Sequence, residues 1–209
     1  MENNLNLTNL IDLIKKTLSE LHSVDEKIVV VNRLKLVLHQ YGPFPQEPVD
    51  CILWVKTDLI EANDYNPNVM ASSEKKLLIH SLESDGFTQP IVVYGVDGKY
   101  IVVDGFHRHL IGKKIAKLNK YQPVACINPD NKTKSCRIAA TIRHNRARGK
   151  HQIEPMSNIV RDLSRLGWDD KRISDELGMD ADEVLRLKQI SGIAELFKDE
   201  KFSKAWTVK

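Results

Sequence analysis

The chain has 209 residues, 42% hydrophobic and 28% charged, with a formal net charge of +3. That length holds one domain of ordinary size plus a small second one, and the composition is that of a soluble globular protein. No apolar run approaches the ~20 residues that span a bilayer, and Met1-Glu2-Asn3-Asn4 lacks the basic start of a signal peptide. A cytoplasmic protein with no membrane partner is expected. Cys51, Cys126 and Cys136 show no paired spacing. Cys51 and Cys126 fall in strand-like runs, which predicts reduced core thiols.

Leu7, Ile11, Ile14, Leu18 and Leu21 recur at four- and three-residue steps, and Ile28, Val31, Leu34, Leu38 and Tyr41 repeat the idea. Two amphipathic helices over 5–21 and 25–41 follow, an αα-hairpin with its turn near His22–Asp25. Such a pair packs on its own chain or on another copy. The run Gly42-Pro43-Phe44-Pro45 then breaks helical periodicity.

A short strand is predicted over Cys51–Val55, followed by turn formers from Asn63 to Asn68. Ser72 or Ser73 is expected to cap a helix that begins at Glu74, buries Leu78 and Leu82, and ends at a left-handed Gly86. Two β-branched runs then flank Asp97-Gly98, the strongest short signal for a two-residue hairpin. The second run ends at Asp104-Gly105, and the period switches to that of a helix carrying Ile111, Ile115 and Leu118.

A strand that feeds a glycine turn and then His107 and Arg108 at a helix start is suited to an anion. Helix starts present backbone N–H groups, glycine permits close approach, and cations add charge-assisted bonds. A plain βα turn with polar residues has the same spacing.

Further on, a strand is predicted at Pro123–Ile127, a helix capped by Ser135 through Arg146, and a helix over 152–166. The apolar stripe of that last helix is Met156, Ile159, Leu163 and Leu166, with Gly167 as its stop. From Lys132 to Lys150 there are seven basic residues and no acidic one. That block reads either as a nucleic-acid surface or as a solvated helix face. Ile173, Leu177, Gly178, Met179, Val184 and Leu187 have the spacing of a helix-turn-helix within 171–191.

Taken in order, these motifs resemble the ParB/sulfiredoxin superfamily from about Pro48 to Ile193. Asn66-Pro67 matches its Asn-Pro box, and Gln89-Pro90 leads into the hairpin where that family frames a nucleotide base. Gly105-Phe106-His107-Arg108 stands where partition ParB proteins have Gly-Glu-Arg-Arg, a phosphate motif. His144-Asn145-Arg146-Ala147-Arg148 stands where they have Glu-Asn-x-x-Arg, which contacts phosphate and metal. The layout is most similar to IbrB-like proteins, described as co-activators of prophage gene expression.

The resemblance implies an α+β fold: a small mixed or antiparallel sheet of ParB/sulfiredoxin type, followed by a helical helix-turn-helix region. It implies three segments: a helical pair at 1–42, a nucleotide-binding domain at 48–150 and a helix-turn-helix region at 151–209. The implied ligand is a nucleotide (CTP, ATP or ADP), with or without Mg2+. Its candidate contacts are Gln89, Pro90, Asp104, Gly105, His107, Arg108, Asn145 and Arg148. DNA, a second copy of the chain and a phosphoadenosine phosphosulfate reductase-like protein are the implied partners.

The departures from the family pattern carry chemistry. His144 replaces a glutamate, and magnesium prefers oxygen ligands, which weighs against a partition-type CTP hydrolysis cycle. The Asp-Gly-x-His-Arg form resembles sulfiredoxins and free-serine kinases, which bind adenine nucleotides through this turn. Sulfiredoxins place a cysteine where Phe106 stands, and a phenyl ring cannot act as their nucleophile. A kinase needs a carboxylate base, for which Glu61, Asp64 and Asp104 are candidates. His107, His109, His144 and His151 lack the partners of a zinc site, so no metal ligand is assigned.

The second helix of the helix-turn-helix opens with Asp180, Asp182 and Glu183, which repel a phosphate backbone. Arg186, Lys188 and Gln189 lie further along, and Arg143, Arg146 and Lys150 in the basic block, with Arg161 and Arg165, form the other candidate DNA surface. The function expected is a nucleotide-binding, DNA-associated regulator or co-activator. The alternative is a nucleotide-dependent phosphotransferase or NTP hydrolase.

Overall fold

In the computed structural model, residues 2–62, 70–127, 133–146 and 153–196 are described. The elements are α1 (Glu2–Glu20), α2 (Val24–Tyr41), β1 (Ile52–Lys56), β2 (Ile60–Glu61), α3 (Ser72–Ser84), β3 (Ile91–Val96), β4 (Lys99–Asp104), α4 (Phe106–Gly112), β5 (Tyr121–Cys126), α5 (Lys134–Arg146), α6 (Ile153–Arg165), α7 (Asp170–Leu177) and α8 (Ala181–Leu196). The fold is α+β, as the sequence predicts. Two compact units form: Met1–Glu61 with Leu78–Pro129, and Ala62–Leu77 with Asp130–Lys209.

The first unit is built on a five-stranded mixed sheet in the order β1-β5-β3-β4-β2. β3 and β4 are the predicted hairpin, turned by Asp97 (φ 49°) and Gly98 (φ 77°), both left-handed as a two-residue loop requires. β5 runs antiparallel to β1 and parallel to β3, and β2 runs parallel to β4. Alternate side chains of these strands bury Val55, Ile60, Ile91, Val93, Val102 and Val124 in one cluster, with Leu53, Phe87, Tyr100, Phe106 and Cys126 against it.

α2 lies against β1, which is an edge of the sheet. Its hold there is polar. The Asn32 carboxamide donates to the carbonyl of Trp54 (2.7 Å) and accepts from its N–H (3.0 Å), so one side chain imitates a neighbouring strand. Lys35 donates to the Ile52 carbonyl (2.8 Å), His39 Nδ1 pairs with Asp50 (2.8 Å), and Asp25 pairs with Lys120 (2.6 Å). These contacts cover an edge that would otherwise offer unpaired backbone groups. Asn32→Ala removes both bonds to Trp54 and is expected to cost about 2 kcal/mol, read as a lower urea midpoint for the first unit. An unchanged midpoint would show that the edge is held without it.

Four local expectations are corrected. α3 starts at Ser72 itself, and its first turn is closed by the Ala71 N–H donating to Glu74 (3.0 Å) rather than by a serine cap. α4 stops at Gly112, and residues 113–118 continue as tight turns such as Ile115 N–H to Gly112 carbonyl (3.2 Å). Ile115 and Leu118 therefore end only half-buried. Thr133, not Ser135, caps α5, accepting from the Cys136 N–H at 3.3 Å. β5 begins at Tyr121, two residues before the predicted start. Gly86 does adopt the predicted left-handed conformation, at φ 74°.

The second unit is helical. Ile138, Ala139 and Ile142 of α5, Met156, Ile159, Val160 and Leu163 of α6, Ile173 and Leu177 of α7, and Val184 and Leu187 of α8 share a core with Trp168 and Met179. Leu166, placed by periodicity in the α6 stripe, lies beyond the end of that helix and is exposed. Trp168 enters the core instead, and Arg172 stacks over its ring with the guanidinium carbon 4.2 Å from the centroid.

Among the described residues no helix is long and apolar enough to cross a membrane.

Candidate functional site

The turn between β4 and α4 holds the centre of the predicted site. Gly105 adopts φ 90°, ψ 20°, a left-handed conformation natural to glycine. A Cβ there would also meet the Arg108 guanidinium at 3.1 Å. The register of β3 against β4 shifts between Val92 and Val93, a bulge beside the Val92–Asp104 pair that re-aims the strand end as it enters the turn.

Arg108 folds back over this glycine. Its Nη1 donates to the carbonyls of Gln89 and Pro90, both at 3.0 Å, and its Nη2 approaches Asp104 Oδ2 at 3.4 Å. The two charged side chains are only 15% and 10% exposed. The guanidinium fork thus ties the entry of β3 to the exit of β4. Gln89, Pro90, Asp104, Gly105 and Arg108, five of the eight predicted nucleotide contacts, are brought together by this one side chain. Phe106 packs against the sheet cluster, and the His107 ring meets its edge at 5.4 Å between centroids.

Beneath the turn lies a buried polar contact that the sequence reading missed. His109 is 1% exposed and Gln122 0%. His109 Nδ1–H donates to Gln122 Oε1 (2.7 Å), and Gln122 Nε2 donates back to the His109 carbonyl (3.2 Å). Burial holds the His109 imidazole below its usual pKa; the Gln122 bond opposes that and the nearby Lys113 charge adds to it. Gly112 permits this approach, since a Cβ at that position would fall 2.7 Å from Gln122 Nε2 and 2.9 Å from Phe87. The available signal was Gln122 standing at the head of an apolar run, a polar residue where a strand buries both faces.

Cys51 and Cys126 are free thiols, buried and half-buried respectively. Burial raises both, Cys126 to about 11 with a contribution from Cys51, so both are protonated core groups, as expected. Of the candidate bases, Glu61 pairs with Lys99 at 2.5 Å and Asp104 with Arg108; Asp64 lies outside the described residues. Asn66-Pro67, Arg148, Lys150 and His151 also lie outside them. Asn145 and Arg146 fall on α5, with nothing described of their side chains. Among the described residues no group of three His, Cys, Asp or Glu side chains is placed to hold a metal. The one carboxylate of the turn, Asp104, is bonded to Arg108.

In the second unit α7, a left-handed Gly178 (φ 64°) and α8 form the predicted helix-turn-helix, with every one of its apolar positions buried. Asp169 caps α7 through the Arg172 N–H (2.7 Å), and Asp180 caps α8 through the Glu183 N–H (2.6 Å). The acid at the start of α8 is therefore partly structural. Lys188 is ion-paired with Asp170, Arg143 with Glu176, and Arg186 Nε donates to the Asp182 carbonyl (3.3 Å). Arg186 and Gln189 are exposed.

Residues 46–143 match the ParB N-terminal domain, and residues 151–199 match the IbrB-like C-terminal HTH domain. A relative from Escherichia coli (strain K12), "Uncharacterized protein YbdM", is 58% identical over 190 residues, covering 88% of this chain and 90% of its own. The chain belongs to the ParB superfamily and carries an IbrB-like carboxy-terminal domain. Two solved structures of the C-terminally truncated chromosome-partitioning protein ParB from Caulobacter crescentus are similar to it at 16% identity. The one complexed with CTP-gamma-S has a TM-score of 0.40, covering 70% of this chain and 86% of that one. The one complexed to the centromeric parS site scores 0.46, covering 71% and 79%.

Proposed function

We propose that this ParB-superfamily protein is a nucleotide-binding, DNA-associated transcriptional regulator or co-activator. The observation that carries the reading is the joining, in one chain, of a ParB N-terminal domain with an IbrB-like helix-turn-helix domain. The nucleotide seats at the β4–α4 turn, its phosphates against Gly105, His107 and Arg108 and its base near Gln89-Pro90. Support comes from the glycine turn at a helix start and from a cation held rigidly beside it. Rigidity lowers the ordering cost of binding. DNA contacts fall to the basic stretch Lys132–Lys150 and to Arg186 and Gln189 on the exposed side of α8.

Thermal unfolding with CTP, ATP and ADP tests the nucleotide half. At a hundredfold excess over Kd, one of them should stabilise the protein by about 2.7 kcal/mol. No shift with any of the three would end that half of the reading. The DNA half predicts an affinity that falls steeply with salt, and salt-independent or absent binding would end it. Steady product formation from ATP or CTP, abolished by Arg108→Ala, would make the protein a phosphotransferase or hydrolase instead. Co-purification with a phosphoadenosine phosphosulfate reductase-like protein would support the co-activator form of the proposal.

A further inference from the structure

We infer that Cys51 and Cys126 form a cross-strand dithiol, a modification site that a peroxide converts into a reversible disulfide within the first unit. The pair shares no residue with the β4–α4 turn and is independent of the nucleotide and DNA reading.

β1 and β5 run antiparallel, with Ile52 opposite Ala125, Leu53 opposite Val124, Trp54 opposite Pro123 and Val55 opposite Gln122. One step beyond the first of these pairs, the same register sets Cys51 against Cys126. Residues directly opposite one another in a ladder share a face of the sheet. Leu53, Val55, Val124 and Cys126 all join the apolar cluster of the first unit. Strand alternation puts Cys51 on that same face, where it is 8% exposed.

The spacing of the pair follows from the ladder. The Thr57 N–H donates to the Lys120 carbonyl at 3.1 Å, and these two residues continue the same register. Every second pair from there, Val55–Gln122, Leu53–Val124 and Cys51–Cys126, therefore falls in the hydrogen-bonded class. The intervening residues agree. Both backbone groups of Trp54 turn outward to Asn32, and Pro123 opposite it has no N–H to give. In the hydrogen-bonded class the Cα atoms stand about 5.5 Å apart, within the ~4.4–6.8 Å over which a disulfide closes. The ladder also ends at this point. The Cys51 N–H turns away to the Pro48 carbonyl (3.3 Å), which leaves the end of β1 room to adjust.

The two sulfurs also act on one another: burial is the main cause that raises the Cys126 thiol, and Cys51 is the second. Cys136, the third cysteine, packs against the core of the second unit.

The chemistry balances with hydrogen peroxide as the oxidant. One thiol, as its thiolate, attacks a peroxide oxygen; an S–O bond forms, the O–O bond breaks, and the departing hydroxide takes up a proton as water. The second thiol then attacks the sulfenic sulfur, the S–S bond forms, the S–O bond breaks, and a second water leaves. Two thiols and one peroxide give one disulfide and two waters. Because burial keeps both thiols protonated, the first step is slow, so the pair answers sustained oxidation. The bond ties an edge strand, together with the α2 contacts it carries, to its sheet neighbour β5.

The reduced full chain carries three thiols. After prolonged exposure of the native protein to a small excess of hydrogen peroxide, thiol titration in denaturant should find one, that of Cys136. A non-reduced tryptic map should link the Cys51 peptide to the Cys126 peptide of the same chain, and dithiothreitol should restore both thiols. The oxidised first unit should unfold at a Tm higher by at least about 5 °C, since the closed loop restricts the unfolded chain. Cys136→Ala should keep the linkage and Cys126→Ala should abolish it; the wild-type map decides on its own if the latter fails to fold. Three surviving thiols, thiols lost without a linked peptide, a linkage through Cys136 or between two chains, or a disulfide that does not raise the Tm would each overturn the inference.

Discussion

Arg108→Ala is expected to lower the stability of the first unit by about 2–3 kcal/mol. The truncation leaves Asp104 without its cation and the Gln89 and Pro90 carbonyls without their donor, in a region where the two charged side chains are only 15% and 10% exposed. Arg108→Lys should recover little of this, because one ammonium cannot span two carbonyls and a carboxylate as a planar fork does. Urea unfolding of each variant reads the stability, and amide exchange at Ile91–Val93 localises the loss to the entry of β3. Nucleotide affinity should fall with it by ten- to a hundredfold, about 1.4 to 2.7 kcal/mol. Stability and affinity both unchanged would mean that the brace is incidental.

The second large effect belongs to the contact beneath the turn. Gln122→Leu fills the same volume but leaves the His109 Nδ1–H buried without its acceptor, at a cost of about 1–3 kcal/mol, while the His109 carbonyl keeps the Lys113 N–H (3.1 Å). The same site carries a pH signature. Burial lowers the pKa of His109 in the folded protein below the ordinary 6.5. As pH falls through 6.5 the unfolded chain therefore binds a proton that the folded chain does not. Stability is full above 6.5 and declines between 6.5 and the lowered folded value. His109→Gln should flatten that part of the stability curve relative to wild type, the other six histidines being common to both proteins. Equal slopes in the two proteins on the acid side of 6.5 would contradict a buried neutral imidazole.

In the folded chain Arg108 and His109 are both tied into the structure around the β4–α4 turn. From residue order alone, Arg108 is a ligand waiting at a helix start. In the folded chain it is first a brace, with Gly105 shaped to receive it and the bulge at Val92–Val93 alongside. The two roles are compatible, since a fixed cation is a better-organised partner for an anion than a mobile one. Phe106 has a similar double character. Its chemistry excludes the thiol mechanism of the sulfiredoxins, and its ring is part of the sheet cluster.

Local order was legible in the sequence because its signals are local. Asp97-Gly98 specifies a turn through the backbone angles those residues tolerate, and the hairpin follows. Ile173, Leu177, Gly178, Met179, Val184 and Leu187 specify two helices and the corner between them, and all six are found as the spacing implies. The motif order from Asn66-Pro67 to the helix-turn-helix was enough to identify the superfamily. Boundaries were less secure where a side chain had to choose among neighbours, as with Thr133 over Ser135 or the early stop of α4 at Gly112.

Only the tertiary structure decided which distant groups meet. Arg108 reaches carbonyls 18 and 19 residues away, Asn32 a strand 22 residues away, and His109 a glutamine 13 residues away. None of these pairings has a period or a turn signature, since each is made by the crossing of elements whose own sequences are satisfied without it. The same reason hid how α2 is held: periodicity made Ile28 part of an apolar stripe, but Asn32, Lys35 and His39 on the same side of the helix bond to Trp54, Ile52 and Asp50, and the edge of β1 they meet exists only once the sheet has formed.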